Sequence, residues 1–269
     1  MEYNIAELLA VNLAHTIKDN EVGFTGLATG KLAAMYNTNI PLLGMELAKR
    51  THAPNLTILL CGWLHNPVLS KLSAMPSCEF SNDLLNLECE AQMQDYPGTW
   101  AYKAGDIDFA FGTGVQVDRE GNINCTYIGE PKAVKVQLVG PIFLPEHFAV
   151  FGREYIMMPH HDKRNFVNKV DHISGVGYPG GIQGRRRLGL PGNGPKYIFT
   201  PKCIFAFDEY GKIYVKSVHK GVSKQELIES TGFDIGDLGE VPMTTEPTQE
   251  ELRLLRKEID PKGILQGGT

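Results

Sequence analysis

The 269-residue sequence predicts an α/β fold: an open, mostly parallel sheet flanked by helices, finishing in a C-terminal hairpin and helix. Three observations carry that expectation. Leu56-Thr57-Ile58-Leu59-Leu60-Cys61 is an unbroken apolar and β-branched run between Ala53-Pro54-Asn55 and Gly62, the pattern of a strand buried on both faces. Helical patterns alternate with such runs along the N-terminal half. Third, 42% of the residues are hydrophobic, ample for a large core.

The elements follow in chain order. Ile5, Leu8, Leu9, Val11, Leu13 and Ile17 form a helical stripe, and Glu21 to Leu27 reads as a strand. Ala28-Thr29-Gly30-Lys31 resembles a phosphate-binding loop superficially. Thr25 replaces its first glycine and Leu32 the hydroxyl residue that would hold magnesium, so the turn reads as strand-to-helix. Gly26 still permits close approach of an extended ligand. Pro41 to Arg50 has proline in its first turn and cations in its last, a short helix. Strand, helix and buried strand make a right-handed βαβ unit. In open α/β sheets ligands bind beyond the carboxyl ends of the strands, which is where Cys61 stands. The competing reading is a buried core thiol.

A polar, irregular stretch runs to about Ser81, followed by a helical pattern over Asp83 to Tyr96 and a buried strand over Asp106 to Gly112. Gly112 to Asn124, with Gly114 and Gln116, reads equally as a ligand-facing loop and as a hairpin turning at Glu120-Gly121-Asn122. Val134–Val139 and Glu154–Met158 read as strands. His160-His161-Asp162 suggests a metal site, but adjacent residues on an extended chain point apart and no second cluster completes one. The glycine-rich stretch Ser174–Pro195 carries Arg185-Arg186-Arg187, a flexible cationic loop suited to phosphate or carboxylate, or else a solvated loop or subunit contact. Tyr197–Val218 reads as a hairpin, Ser223–Ser230 as a helix, and Thr248 with Glu251 as a capping box opening a last helix to Ile259. Residues 1–269 read as a single domain.

Composition excludes several classes. A net charge of −5 argues against a nucleic-acid partner. No apolar run reaches the roughly 18 residues of a membrane span, and Met1–Asn20 lacks the pattern of a targeting segment. Five cysteines without a CxxC pair fit a reducing compartment. A cytoplasmic protein is expected.

Several blocks together resemble the β subunits of family I CoA-transferases of the glutaconate type. They are Pro41-Leu42-Leu43-Gly44 with Ala48-Lys49-Arg50, and Gly114-x-Gln116-Val117-Asp118-x-x-Gly121-Asn122-x-Asn124. The longest runs from Ile156-Met157-Met158 through Lys163-Arg164 and Phe166 to Arg187-Leu188-Gly189-Leu190-Pro191-Gly192. Phe207-Asp208-Glu209, Thr231-Gly232-Phe233-Asp234 and Glu258-Ile259-Asp260-Pro261 extend it to the end. The resemblance implies an enzyme subunit of that fold, with a single CoA-transferase-like domain. Its implied partner is a homologous α subunit in an α2β2 heterotetramer. Coenzyme A enters as part of the substrate, with no permanently bound cofactor or metal.

In transferases of this type a glutamate at the end of the strand attacks the donor thioester. Aligned from Pro41, that glutamate falls on Cys61, and a thiol cannot carry the anhydride and glutamyl-CoA cycle. The family's glycine-rich oxyanion loop is also replaced by Pro141-Ile142-Phe143-Leu144-Pro145, and proline offers no N–H. Relatives without the glutamate include a two-subunit 3-methylglutaconyl-CoA decarboxylase, which has cysteine there, and two-subunit hydrolases of CoA-linked steroid fragments. Decarboxylation or hydrolysis of a carboxylated acyl-CoA is therefore expected over transfer. Cys61 is the expected acid and Gln116 the group polarising the thioester oxygen. Gly26, Gly62, Gly114, Arg185, Arg186 and Arg187 are the expected substrate or CoA contacts. Two alternatives stand beside this: a genuine CoA-transferase whose carboxylate is Glu146 or comes from the α subunit, and a non-catalytic scaffold subunit.

Overall fold

The computed structural model describes residues 2–28, 30–62, 64–76, 78–92 and 105–267. The chain forms two compact units. One comprises Met1–Tyr102, Asp106–Phe111 and Thr245–Thr269, the other Lys103–Gly105 and Gly112–Thr244.

The first unit opens with α1 (Ile5–Ala14), whose start is fixed by a capping box between Asn4 and Glu7. The Glu7 carboxylate, buried, also pairs with Arg256 at 2.6 Å. β1 (Val22–Thr25) leads through the one-turn helix α2 (Lys31–Ala34) and a π turn at Met35–Asn39 into α3 (Ile40–Thr51). α1 packs on α3 at Gly44, where a Cβ would lie 2.8 Å from Leu13 Cδ2, so the close helix contact requires glycine. β2 (Thr57–Leu60) then pairs parallel with β1, completing the expected βαβ unit.

The chain reverses at once into β3 (Leu64–His65), antiparallel to β2. Beyond it, the helical pattern expected over Asp83 to Tyr96 forms only the single turn α4 (Asn82–Leu85). β4 (Ala91–Gln92) follows, antiparallel to β3, and Met93–Tyr96 lie outside the described residues. The mixed polarity of that segment gives a longer helix no apolar face to bury. β5 (Phe109–Gly112) pairs parallel with β1 on its other side, giving the strand order β5-β1-β2-β3-β4. A C-terminal helix (Gln249–Arg253) begins at the expected Thr248–Glu251 capping box.

In the second unit β6 (Gln116–Val117) and β7 (Ile123–Asn124) form a hairpin, so Gly112–Asn124 takes the hairpin alternative. β8 (Tyr127–Glu130) and β9 (Ala133–Gln137) form a separate two-stranded ladder. β9 is exposed throughout, where the sequence predicts a sheet strand. α5 (Leu144–Val150) precedes β10 (Arg153–Met157). The stretch carrying three arginines is not a flexible loop: Gly181–Arg187 is helix α6. Arginine is a good helix former, and Gly180 supplies the left-handed residue at its start. β11 (Pro195–Phe199) pairs parallel with β10. β12 (Cys203–Phe207) and β13 (Ile213–Val218) follow antiparallel, and α7 (Lys224–Ser230) is capped by Ser223. Phe148, Phe166, Phe205 and Phe207 form the centre of its core. The described strands are parallel within the βαβ regions and antiparallel at the outer pairs, an α/β arrangement with helices against the strands. Among the described residues no helix is long and apolar enough to cross a membrane.

Candidate active site

Cys61, Gly62 and Gly26 come together in the first unit. Because β1 and β2 run parallel with Thr25 opposite Leu60, both chains end side by side. The Cys61 N–H continues the ladder by donating to the Thr25 carbonyl at 2.8 Å. Cys61 and Gly62 turn the chain, and both take left-handed backbone, with φ of 57° and 71°. Glycine adopts that region without cost; a cysteine there costs about 1 kcal/mol or more. Trp63 lies outside the described residues. Cys61 is half-buried and is not a sealed core thiol.

Glu79 and the Leu27 main chain act on the Cys61 thiol. Burial pushes the thiol well above its ordinary range, and the Glu79 charge and hydrogen bond push the same way. The Leu27 hydrogen bond offsets only part of this. At neutral pH Cys61 is therefore S–H, a proton donor and a poor nucleophile. Sequence reasoning missed Glu79, which stands in the irregular stretch before Ser81. The local sequence around Glu79 has no periodicity that would mark it.

Gln116 lies in the second unit, nearly buried on β6. Its Oε1 accepts from Asn124 Nδ2 at 2.8 Å and from the Asp171 N–H at 3.0 Å. That fixes the amide orientation, and no described residue accepts from Nε2. Asp118 accepts from the N–H groups of Glu120 and Asn122, and Asn122 Oδ1 accepts from the Gly177 N–H. Thus Asp118, Asn122 and Asn124 are spent on holding the hairpin, and Gln116 Nε2 is left to donate outward. A Cβ on Gly114 would lie 2.8 Å from the Asn124 carbonyl, so the hairpin itself demands that glycine.

The three expected arginine contacts part company. Arg185 is 1% exposed, and its guanidinium donates to the carbonyls of Phe148, Val176, Gly177 and Gly192. It braces the main chain, with its guanidinium occupied by these carbonyls. Arg186 and Arg187 remain exposed on α6. At Gly140–Pro141 the Gly140 N–H is taken by the Cys125 carbonyl at 2.9 Å and Pro141 has none. His161, half of the apparent metal pair, is buried against Thr200 and Thr231. Among the described residues no cluster is placed to hold a metal.

The chain is 32% identical over 265 residues to the β subunit of glutaconate CoA-transferase from Acidaminococcus fermentans, covering 96% of this chain and 93% of that one. It belongs to the family I CoA-transferase β subunits. The crystal structure of the Acidaminococcus enzyme superposes with a TM-score of 0.75 at 30% identity, over 98% of this chain and 97% of that one. The fold is shared with the decarboxylase AibA/AibB, at a TM-score of 0.75 and 22% identity over 98% of both chains. It is shared also with IpdAB of Rhodococcus jostii RHA1, at 0.75 and 24% over 99% and 98%; IpdB is a cholesterol ring-cleaving hydrolase component. No family model matches the chain. The family is one of enzyme subunits.

Proposed function

We propose that this chain is the β-type subunit of a heteromeric enzyme that decarboxylates a carboxylated acyl-CoA thioester. The observation that carries the reading is Cys61: a neutral thiol on the strained turn that ends β2. Decarboxylation needs a desolvated carboxylate, a polarised thioester carbonyl to accept the electron pair, and an acid to protonate the resulting dienolate. A thiol held as S–H supplies the acid. Gln116 Nε2, aimed by Asn124 and Asp171, supplies a hydrogen-bond donor for the thioester oxygen. Arg186 and Arg187 are exposed cations for a carboxylate or the CoA phosphates. Coenzyme A belongs to the substrate, and the partner is a homologous α subunit in an α2β2 assembly. That a decarboxylase and a ring-cleaving hydrolase share the fold supports chemistry other than transfer on this scaffold.

One observation favours a second reading. Glu79 places a carboxylate beside Cys61, and a CoA-transferase requires a carboxylate nucleophile. The deciding experiment incubates the reconstituted heteromer with glutaconyl-CoA and 3-methylglutaconyl-CoA, with and without acetate, and reads the CoA esters by mass. Loss of carbon dioxide without acceptor supports decarboxylation. Acetyl-CoA formed only with acetate contradicts it and restores the transferase.

A further inference from the structure

The ends of β1 and β2 carry a second functional group besides the thiol. Glu79 reaches them from a loop: its Oε1 lies 3.8 Å from where a Cβ on Gly26 would stand, one residue past the end of β1. From there its charge acts on the Cys61 thiol. Cys61 is itself tied to Thr25, the residue before Gly26, through its N–H. Two adjacent strand ends thus bring one thiol and one carboxylate together. Among the described residues, Glu79 is the charged group that acts on Cys61.

We infer that Glu79 is a positioning residue for Cys61, accepting the thiol S–H in a hydrogen bond and so holding the sulfur as an aimed proton donor. The inference deepens the proposed function and rests on its reading of Cys61 as the acid. An ionised carboxylate only accepts, so the thiol must be the donor in this pair. A thiolate facing it would place two like charges together, which disfavours ionisation of the sulfur. The pair therefore selects acid chemistry over nucleophilic chemistry at Cys61.

The proton count closes around the same pair. The bond to the departing carboxylate breaks, its electron pair stays on the acyl chain as a dienolate, and carbon dioxide leaves. The S–H proton passes to carbon and leaves Cys61 as thiolate. Glu79 then takes a proton from water and returns it to sulfur. One solvent proton is consumed for each carbon dioxide released.

The test measures alkylation of Cys61 by iodoacetamide against pH in the assembled heteromer, read peptide by peptide so that half-buried Cys89 serves as the internal control. Glu79→Gln keeps the side-chain shape and an acceptor but removes the charge. We expect the alkylation midpoint to fall, with the rate near pH 8 rising about tenfold, the equivalent of one pKa unit. The kcat for carbon dioxide release should fall while KM stays within about twofold. Glu79→Asp, which keeps the charge on a shorter arm, should retain the high wild-type midpoint and lose part of kcat. It also serves if the glutamine variant fails to assemble. An alkylation profile unchanged by Glu79→Gln overturns the inference, as does a CoA thioester found on Glu79. Because alkylation uses no substrate, a shifted profile in a complex that releases no carbon dioxide supports the Cys61–Glu79 pairing and counts against the decarboxylase reading alone.

Discussion

The Thr25 carbonyl accepts the Cys61 N–H at 2.8 Å, one bond beyond the last paired residues of β1 and β2. That bond carries the parallel ladder into a turn residue whose φ is 57°. Cys61 is thereby fixed relative to the strand ends even though its backbone conformation is unfavourable for a side chain. Strain held at a site of expected chemistry is consistent with a functional constraint at this position.

Cys61→Gly should separate that strain from the chemistry. Glycine relieves the left-handed backbone by about 1 kcal/mol, worth about 2–4 °C in Tm for a chain of this size class. The variant is expected to melt at or slightly above the wild-type temperature and to have lost turnover. Calorimetry beside a carbon dioxide assay checks both; a large fall in Tm would show that the sulfur is needed for packing.

Gln116→Glu tests the outward amide. The new side chain can still accept from Asn124 and Asp171, so the hairpin should persist and Tm should shift little. The Nε2 donor is replaced by oxygen, and kcat should fall about a hundredfold or more, the usual cost of one oxyanion donor. Steady-state kinetics with a thermal melt on the same preparation reads the two effects apart.

The arginines should divide by role. Arg185→Ala leaves four main-chain carbonyls without their donor and should destabilise by several kcal/mol, at about 1–3 kcal/mol for each buried group left unsatisfied. Arg186→Ala and Arg187→Ala should leave Tm within about 1 °C, since exposed substitutions rarely cost more than ~0.5 kcal/mol. Their effect should appear in KM for the acyl-CoA, rising severalfold.

Glu154 gives a pH signature. It is fully buried with His147 Nδ1 at 2.9 Å, and burial raises its carboxyl above the ordinary value of 4.5 in spite of the His147 and Arg185 charges. A carboxyl with a raised folded-state pKa binds more protons folded than unfolded. Its contribution to stability is full below about pH 4.5 and is lost as pH rises through the folded-state value. Wild type should therefore lose stability relative to Glu154→Gln on going upward from pH 4.5 and then level off. Urea denaturation across that range reads the difference; a difference independent of pH would contradict it.

Much of this architecture is written in local pattern. The continuous run into Cys61 and the capped, proline-started Pro41–Arg50 segment state the βαβ unit, because burial on both faces and helix ends leave short-range marks. The left-handed turn at Cys61 leaves none. It is set by the immediate pairing of β3 back onto β2, a tight reversal that Leu64 and His65 do not announce. Arg185 reads in sequence like its two neighbours, and only the turning of α6 sends it inward. Glu79 is hidden for the same reason: its contact with Cys61 crosses an irregular loop that has no periodicity to read. The Gln116 motif is visible as a motif, yet its division of labour, with three residues holding the hairpin and one free donor, emerges only from the hydrogen bonds.

Whether Cys61 donates the proton in a decarboxylation is read from the reconstituted heteromer supplied with a carboxylated enoyl-CoA. The substrate carries carbon-13 in its free carboxyl group, and labelled carbon dioxide is followed from wild type and Cys61→Ser in parallel. Wild type should release the label without any acceptor acid, and the serine variant should lose about 10²–10⁴-fold in rate, the range for removing a general acid. Undiminished release by Cys61→Ser, or label retained in a free dicarboxylic acid while CoA moves to an added acceptor, would contradict that role.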